Sequence, residues 1–315
     1  MRKAPGLLVL LAWLTASPLL YAGPAAVATF EQHATEEGLA VLADGGNAVD
    51  AAVTVAMVLA VTLPEAGNIG GGGFMVSWMD GEAAFLDFRE KAPLAAHRDM
   101  YLNEQGEFVQ DRTMVGALGI GVPGTVRGMA EAHARFGSLP WARLMEPAIR
   151  LARDGYIVPP RMAVNLTGAS ETFGGRTNFE HYFGGLSAGD RFRQTELAAT
   201  LERLAKDPED FYGGHIAAQL VAQMKASGGL ITAEDLRQYT AVWRDPLVSQ
   251  WRGHTLLTPP PPSSGGIAVT QLLLMRDYLS PYFRDVPHNS ARYIHLLAEI
   301  EKRVFADRGN YLGDP

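Results

Sequence analysis

One arginine in the sequence has the chemistry and the setting of a substrate-binding residue. Arg89 ends a short apolar segment that follows four consecutive glycines at 70–73. Its guanidinium group could hold a carboxylate through two parallel hydrogen bonds, which the ammonium group of a lysine does not offer. An arginine at the end of a strand is also commonly one half of a surface ion pair. These residues alone leave both interpretations of Arg89 open.

Two loops of unusual composition are further candidates for binding. The glycines at 70–73 lack a Cβ, so either a ligand or another segment of the chain could approach their backbone closely. The sequence favours packing of chain on chain at this loop. The segment 259–266, Pro-Pro-Pro-Pro-Ser-Ser-Gly-Gly, is compatible with a polyproline segment that binds a partner and equally with a rigid lead-in to a helix.

The common catalytic and cofactor motifs are absent or incomplete. The sequence contains no His-Glu-x-x-His, no Gly-x-Ser-x-Gly and no loop ending in Gly-Lys-Ser/Thr. The eight histidines are scattered, so we predict no metal site. Gly-x-Gly-x-x-Gly occurs at 119–124, but Pro123 removes a backbone N–H that would face a pyrophosphate, and residues 140–145 contain no acid that could bind a ribose. We therefore predict a structural role for this motif and no cofactor.

The composition is that of a globular protein with little affinity for nucleic acid. The chain has 315 residues, of which 47% are hydrophobic and 19% charged, and this balance excludes wholesale disorder. The formal net charge of −7 makes non-specific binding to nucleic acid unfavourable. The absence of cysteine excludes disulfides, thiolate nucleophiles and iron–sulfur clusters.

The N-terminal segment, residues 1–22, is typical of a secretory signal peptide. Arg2 and Lys3 precede an apolar run at 6–20, and small residues follow it. The run is shorter than the ~20 apolar residues of a membrane span, although an uncleaved anchor is the alternative. We therefore expect the mature chain, residues 23–315, to be exported to the periplasm or secreted, with no stable membrane span.

Apolar periodicity and turn residues predict the elements around Arg89. A helix at 48–63 is apolar on every side and begins after Asn47, which could cap it. Strands at 74–78 and 83–88 flank Asp80-Gly81, a two-residue hairpin signal. Because helices and strands interleave along the chain, we predict an α/β fold with α+β layering.

The rest of the chain gives further helices, one more hairpin and one long loop. Ser138 is predicted to cap a helix that reaches about residue 153, and Thr232 with Asp235 resembles a capping box. The polar, aromatic and Gly-rich residues 165–193 are predicted to form a long surface excursion. A strand at 247–257 is predicted to turn at Arg252-Gly253. Other helices are predicted at 35–43, 124–136, 195–204, 215–226, 266–279 and 290–309.

Several motifs, taken in order along the chain, resemble one family. They are Gly-Gly-Asn-Ala-Val-Asp-Ala-Ala at 45–52, Gly-Asn-Ile-Gly-Gly-Gly-Gly-Phe-Met at 67–75, Asp-Phe-Arg-Glu-Lys-Ala-Pro at 87–93, Gly-Val-Pro-Gly-Thr-Val at 121–126, Pro-Pro-Pro-Ser-Ser-Gly-Gly at 260–266, and Ala-Asp-Arg with Tyr-Leu-Gly-Asp-Pro between 306 and 315. From about residue 30 to the end, the chain resembles the amino-terminal, large-subunit part of gamma-glutamyltransferase, also called gamma-glutamyltranspeptidase or glutathione hydrolase.

This resemblance implies a fold and a reaction. The fold would be the αββα sandwich of N-terminal-nucleophile hydrolases, incomplete here because the small-subunit part is absent. Such proteins cut themselves into two subunits, and the new N-terminal threonine of the small subunit is the nucleophile. It attacks a gamma-glutamyl amide to form an acyl-enzyme, which passes the glutamyl group to water or to an amine. The implied partners are glutathione or other gamma-glutamyl compounds, and a small subunit from the same precursor.

The resemblance also assigns a role to Arg89. Arg89 corresponds to the arginine that holds the glutamyl α-carboxylate, which favours binding over a surface ion pair. Glu90 is a secondary candidate for positioning that arginine. The family's processing site and threonine would follow Pro315, so we expect a truncated large subunit with no catalytic residue of its own. We expect residues 23–315 to form one domain whose exposed sheet edges and apolar surface favour aggregation.

Two alternatives remain open at this point. The first is a related cephalosporin or glutaryl acylase of the same fold, which would act on side chains without the glutamyl amino group. The second is a non-catalytic exported protein that uses Arg89 to bind small carboxylates.

Overall fold

The protein was analysed as a computed structural model that describes residues 25–314. The predicted signal peptide lies outside the described residues. Within the described range, no helix combines the length and the apolar character that crossing a bilayer requires.

The elements follow one another in this order: α1 (Gln32–Ala43), α2 (Ala48–Thr62), β1 (Phe74–Met79), β2 (Glu82–Asp87), α3 (Asp111–Met114), α4 (Thr125–Phe136), α5 (Trp141–Asp154), β3 (Tyr156–Ile157), α6 (Pro160–Phe173), α7 (Phe179–Phe183), β4 (Arg191–Phe192), α8 (Thr195–Lys206), α9 (Asp210–Gly213), α10 (His215–Ser227), α11 (Ala233–Gln238), β5 (Val242–Arg244), β6 (Leu247–Trp251), β7 (His254–Thr258), α12 (Gly265–Tyr278) and α13 (Ala291–Tyr311).

Helix α2 is the central helix of the main core. Its sequence is apolar on all sides, and Val53 and Met57 are completely buried. The predicted cap is confirmed, because the Asn47 side chain accepts hydrogen bonds from the first turn and the Asp50 carboxylate accepts one from the Asn47 backbone N–H. Helices α1, α4 and α5 pack against α2. The fold thus surrounds the most apolar helix of residues 25–314 with other helices.

The prediction that Ser138 caps α5 is wrong, because Ser138 bonds to Asp50 instead. Its backbone N–H lies 3.0 Å from Asp50 Oδ1, and its hydroxyl also donates to this carboxylate. Helix α5 begins later, at Trp141, with Pro140 at the cap position. Burial raises the pKa of Asp50, but the hydrogen bonds from Ser138 and from the backbone outweigh it and hold this pKa below its ordinary value.

The strand that precedes Arg89 is the middle strand of a three-stranded sheet. The sheet has the order β1-β2-β5, and both pairings are antiparallel. The hairpin between β1 and β2 turns at Asp80 (φ 52°) and Gly81 (φ 85°), as predicted. Phe85 and Leu86 point to opposite faces of β2 and are both fully buried. The sheet is therefore covered on both faces at the strand that leads to Arg89.

The segment 165–193 lies mostly at the surface, as predicted, but it is not one long loop. Residues 165–173 belong to α6 and residues 179–183 to α7, and β4 pairs with β3. The buried residues of α6 are Met162 and Leu166, and so short an apolar stripe does not give a helical pattern in the sequence. Phe183 of α7 packs near Phe192 of β4, with ring centroids 5.8 Å apart.

The C-terminal elements form a layer with its own small core. Strands β6 and β7 form an antiparallel hairpin that turns at Arg252 and Gly253, as predicted. Helix α12 packs on both strands and on α13, around Phe283, Ile300 and Val304. Every strand pairing among residues 25–314 is antiparallel and lies beside helices, so the predicted α/β class with α+β layering is confirmed.

An apolar edge remains uncovered on the three-stranded sheet. Strand β1 lies at this edge, and Phe74, Val76 and Trp78 on one of its faces are 37%, 40% and 62% exposed. Leu274 of α12 and Phe305 of α13 are also exposed. The exposed sheet edge and apolar surface predicted from the sequence are present, and the aggregation that they favour stays a prediction.

Candidate functional site

The residue before Arg89 anchors the segment that leaves β2. Phe88 is buried, and its backbone exchanges two hydrogen bonds with Gly73, from Phe88 N to Gly73 O at 3.0 Å and from Gly73 N to Phe88 O at 3.3 Å. Arg89, the next residue, is exposed. The fold therefore fixes the backbone beside Arg89 and leaves the Arg89 side chain at the surface.

Gly72 and Gly73, the last two of the four glycines at 70–73, pack against this same segment. A Cβ added to Gly72 would lie 2.5 Å from the carbonyl oxygen of Phe88 and 2.7 Å from the backbone nitrogen of Glu90. No larger residue fits at Gly72 unless the backbone around Arg89 moves. Tight packing of chain on chain, which the sequence favoured, therefore explains Gly72 and Gly73, and it fixes the backbone beside Arg89.

The glycine-rich segment at 119–124 reaches the same place from the other side. The backbone N–H of Gly124 donates to the Gly71 carbonyl at 2.7 Å. A Cβ added to Gly124 would lie 2.1 Å from the Phe88 carbonyl oxygen. Helix α4 begins directly afterwards, at Thr125. Close packing against the Arg89 segment thus accounts for Gly121 and Gly124, whereas Gly119 packs against the Thr113 backbone.

Two buried polar side chains hold the Arg89 backbone. The Arg89 backbone N–H donates to Asp87 Oδ1 at 3.2 Å, and the Tyr239 hydroxyl donates to the Arg89 carbonyl at 2.9 Å. Tyr239 is 3% exposed, and burial raises its pKa, so the hydroxyl keeps the proton that it donates. Its ring stacks on Tyr212 at 5.8 Å between centroids. Arg89 is therefore fixed at both its N–H and its carbonyl.

The surface ion pair expected of a strand-end arginine belongs to a different arginine. Arg244 of β5 donates to Asp87 Oδ2, from Nη2 at 3.0 Å and from Nε at 3.3 Å. Within residues 25–314, no carboxylate lies within ion-pair distance of the Arg89 guanidinium. Arg244 thus neutralises Asp87, and the guanidinium of Arg89 keeps its donors for a ligand.

Two neighbouring cavities meet at Arg89, each of about 350 Å³. This volume lies in the range of small-molecule sites, roughly 300–1,000 Å³. Arg89, Pro262 and Asp314 line both cavities. The first cavity is also lined by Asp87, Glu90, Lys91, Ala92, Val242 and Arg244. The second cavity is also lined by Pro261, Ser263, Ser264, Arg308, Gly309, Leu312 and Gly313.

The structure places both predicted site residues at the first cavity and adds two residues that hold the Arg89 backbone. Glu90 is exposed and lines the first cavity, but no hydrogen bond joins its side chain to Arg89 within the described chain. Asp87 and Tyr239 are the residues that hold Arg89. Tyr239 is 150 positions away in sequence, and no local pattern marks it.

The arrangement can bind an anion, and it places no nucleophile–base pair at the cavities. Ser263 and Ser264 are the hydroxyl residues of the second cavity, and no histidine lies beside them there. Among residues 25–314, no three His, Asp or Glu side chains are grouped as a metal site requires. The arrangement is therefore suited to holding an anion through the guanidinium of Arg89.

Comparison with known proteins defines the class and then the family. The chain superposes on the gamma-glutamyltranspeptidase from Pseudomonas nitroreducens complexed with L-DON with a TM-score of 0.90 and 54% identity, covering 92% of this chain and 87% of that one. The fold is thus that of the N-terminal-nucleophile hydrolases, as predicted. The family model described as gamma-glutamyltranspeptidase matches residues 34–315. The chain belongs to the gamma-glutamyltranspeptidase family and covers its large-subunit part, which confirms the resemblance.

Two curated relatives show how much of a whole protein this chain represents. The glutathione hydrolase proenzyme of Pseudomonas aeruginosa is 54% identical over 291 residues, which are 92% of this chain and 52% of the relative. The Acylase ACY 1 proenzyme of Pseudomonas sp. strain SE83 is 35% identical over 302 residues, which are 92% of this chain and 54% of the relative. The chain spans about half the length of the curated relatives that it matches.

Proposed function

We propose that this chain provides the carboxylate-binding part of an enzyme that hydrolyses glutathione and other gamma-glutamyl amides and transfers their glutamyl group. The observation that carries the proposal is Arg89, whose backbone is held by Asp87 and Tyr239 while its guanidinium faces two cavities. A glutamyl group carries an α-carboxylate, which is the ligand that such an arginine binds best. Membership in the gamma-glutamyltranspeptidase family supports this choice of ligand.

The proposed reaction needs a nucleophile from a small subunit of the same precursor. The hydroxyl oxygen of its N-terminal threonine attacks the γ-carbonyl carbon, the amide C–N bond breaks, and the hydroxyl proton passes through the threonine amine to the leaving amine. Water or an acceptor amine then attacks the glutamyl ester, and the threonine oxygen recovers a proton. Arg89 holds the α-carboxylate through both steps, so the γ-carbonyl stays aligned.

We propose the same maturation and destination that the sequence suggests. The precursor is exported by its signal peptide, residues 1–22, to the periplasm or the medium, and cuts itself into two subunits. The word proenzyme in the names of the relatives supports processing. The small subunit would cover the apolar edge at Phe74, Val76 and Trp78, whose exposure supports a missing partner.

The test is hydrolysis of a γ-glutamyl anilide by the protein expressed from its complete open reading frame. We expect Arg89→Gln to lower kcat/KM about 10- to 100-fold, because a charged hydrogen-bonded pair is worth ~1.5–3 kcal/mol. Arg98→Gln is the matched control, because Arg98 is a nearby arginine whose side chain is 96% exposed. Equal activity of Arg89→Gln and wild type would contradict the proposal.

A cephalosporin or glutaryl acylase is the second candidate, since the chain also matches the Acylase ACY 1 proenzyme. Arg89 could hold the terminal carboxylate of a glutaryl group as well as that of a glutamyl group. The two substrates differ in the α-amino group. Comparing kcat/KM for γ-glutamyl and glutaryl anilides therefore decides between the two functions, and a preference for the glutaryl compound would favour the acylase.

A further inference from the structure

The second cavity extends the site beyond Arg89, into space that a carboxylate bound to Arg89 would not occupy. This cavity has a volume of about 350 Å³ and shares Arg89, Pro262 and Asp314 with the first cavity. A glutamyl carboxylate bound at Arg89 would lie where the two cavities meet. The second cavity is therefore open to the other end of a substrate.

A second arginine lies in this cavity and is oriented by the adjoining loop. Arg308 lies near the end of α13, and its Nε donates to Ser264 Oγ at 2.9 Å. This hydrogen bond uses one of the five N–H groups of the guanidinium. No carboxylate lies within ion-pair distance of Arg308 among residues 25–314. The outer edge of the guanidinium therefore remains available to an anion.

The charges around Arg308 favour an anion. Arg89 and Arg308 contribute two positive charges to the second cavity, against one negative charge from Asp314. Helix α12, which has 14 residues, begins at Gly265, directly after the lining residues Ser263 and Ser264. Its positive N-terminal end adds to the field of the two arginines.

We propose that Arg308 binds a second carboxylate, that of the leaving group, so that the enzyme prefers γ-glutamyl compounds whose leaving group is an amino acid or a peptide with a free carboxylate. This inference rests on the proposed function. Ser264 orients the Arg308 guanidinium, and Arg89 holds the opposite end of the substrate. Neutral γ-glutamyl amides would use Arg89 alone.

A pair of substrates that differ in a single charge tests this subsite. γ-Glutamylglycine and γ-glutamylglycinamide differ in that the second has an amide in place of the carboxylate. In the protein expressed from its complete open reading frame, we expect a higher kcat/KM for the acid. Arg308→Gln should lower kcat/KM for the acid about tenfold, mainly through KM, and leave the amide within about twofold. Arg308→Lys should recover part of the loss, since it keeps the charge.

Two further variants separate binding from a structural effect. Arg303→Gln is the control on the same helix, because Arg303 is exposed and pairs with Glu299, and it should leave the ratio of the two substrates unchanged. Ser264→Ala keeps Arg308 and removes the hydroxyl that orients it. We expect Ser264→Ala, like Arg308→Gln, to lower the ratio of kcat/KM for the acid to kcat/KM for the amide. This test remains available even if Arg308→Gln does not fold.

The outcomes distinguish the subsite from the underlying function. Equal kcat/KM of wild type for the acid and the amide, or an unchanged ratio in Arg308→Gln, would overturn the role of Arg308 and leave Arg89 and the γ-glutamyl reaction standing. Failure of the wild type to cleave either compound would overturn the proposed function and the subsite with it. A ratio that falls in Arg308→Gln and stays constant in Arg303→Gln supports the subsite.

Discussion

The hydroxyl of Tyr239 offers a way to disturb Arg89 without touching its side chain. In Tyr239→Phe the ring remains and keeps its stacking on Tyr212, at 5.8 Å and 15° between ring planes. The change removes the hydrogen bond to the Arg89 carbonyl, which is 2.9 Å long. Any change in substrate binding therefore reports the position of the Arg89 backbone.

The expected magnitude follows from the loss of one buried hydrogen bond. Leaving a buried acceptor without its donor costs about 1–3 kcal/mol of unfolding free energy. At an unfolding entropy of about 2.1 cal/mol/K per residue, 1 kcal/mol corresponds to a fall in Tm of about 1.5 °C for this chain of 315 residues. Because Arg89 then loses its fixed backbone, we expect KM for a γ-glutamyl anilide to rise about 3- to 10-fold while kcat changes little.

A second tyrosine provides the matched control. The Tyr212 hydroxyl donates to the Pro123 carbonyl at 3.1 Å and accepts from the Arg127 backbone N–H at 2.9 Å, and it does not bond to Arg89. Because two hydrogen bonds are lost, Tyr212→Phe should lower Tm by at least as much and leave KM nearly unchanged. If both variants lower Tm and neither changes KM, Tyr239 is a purely structural residue and the reasoning is refuted.

Two other predictions concern the packing and the buried acid. Gly72→Ala should lower the unfolding free energy by about 1–3 kcal/mol and raise KM, because the new Cβ would press on the backbone beside Arg89. Gly70→Ala is the control, because no atom lies within 4 Å of the added Cβ, and it should leave both Tm and KM unchanged. Asp50→Asn should lower the unfolding free energy, measured by urea denaturation at pH 7, by about 1–3 kcal/mol. The folded-state pKa of Asp50 lies below its ordinary value, so the stability that its carboxylate contributes is fully present above that ordinary value. This stability is lost as the pH falls through the folded-state pKa. The loss of unfolding free energy in Asp50→Asn should therefore become smaller below about pH 4. A cost of Asp50→Asn that does not vary with pH would contradict the assignment of these hydrogen bonds.

The sequence predicts those parts of the fold whose causes are local. Asn47 caps α2 through neighbours within three residues, and Thr232 forms its capping box with Asp235 in the same way. The turn at Asp80-Gly81 follows from residues that tolerate positive φ. Each of these structures is decided by a few consecutive residues, so each can be recognised before the fold is known.

The parts that the sequence does not predict depend on contacts between distant residues. Ser138 bonds to Asp50 across 88 positions instead of capping its own helix. Tyr239 reaches Arg89 across 150 positions, and only the fold brings the two together. Arg89 itself could be predicted as a candidate from its residue type and its motif. That Arg89 has no ion pair among residues 25–314 could not be predicted, because Asp87 pairs instead with Arg244, which is 157 positions away.

The central claim is that Arg89 binds the α-carboxylate of the substrate, and a substrate analogue tests it most directly. A γ-glutamyl anilide and a 4-aminobutyryl anilide differ in that the second lacks this carboxylate. We would measure kcat/KM for both compounds with wild type and Arg89→Gln, using the protein expressed from its complete open reading frame. The account predicts that wild type prefers the γ-glutamyl compound by about 10- to 100-fold and that Arg89→Gln loses this preference. A preference that survives unchanged in Arg89→Gln would contradict the account.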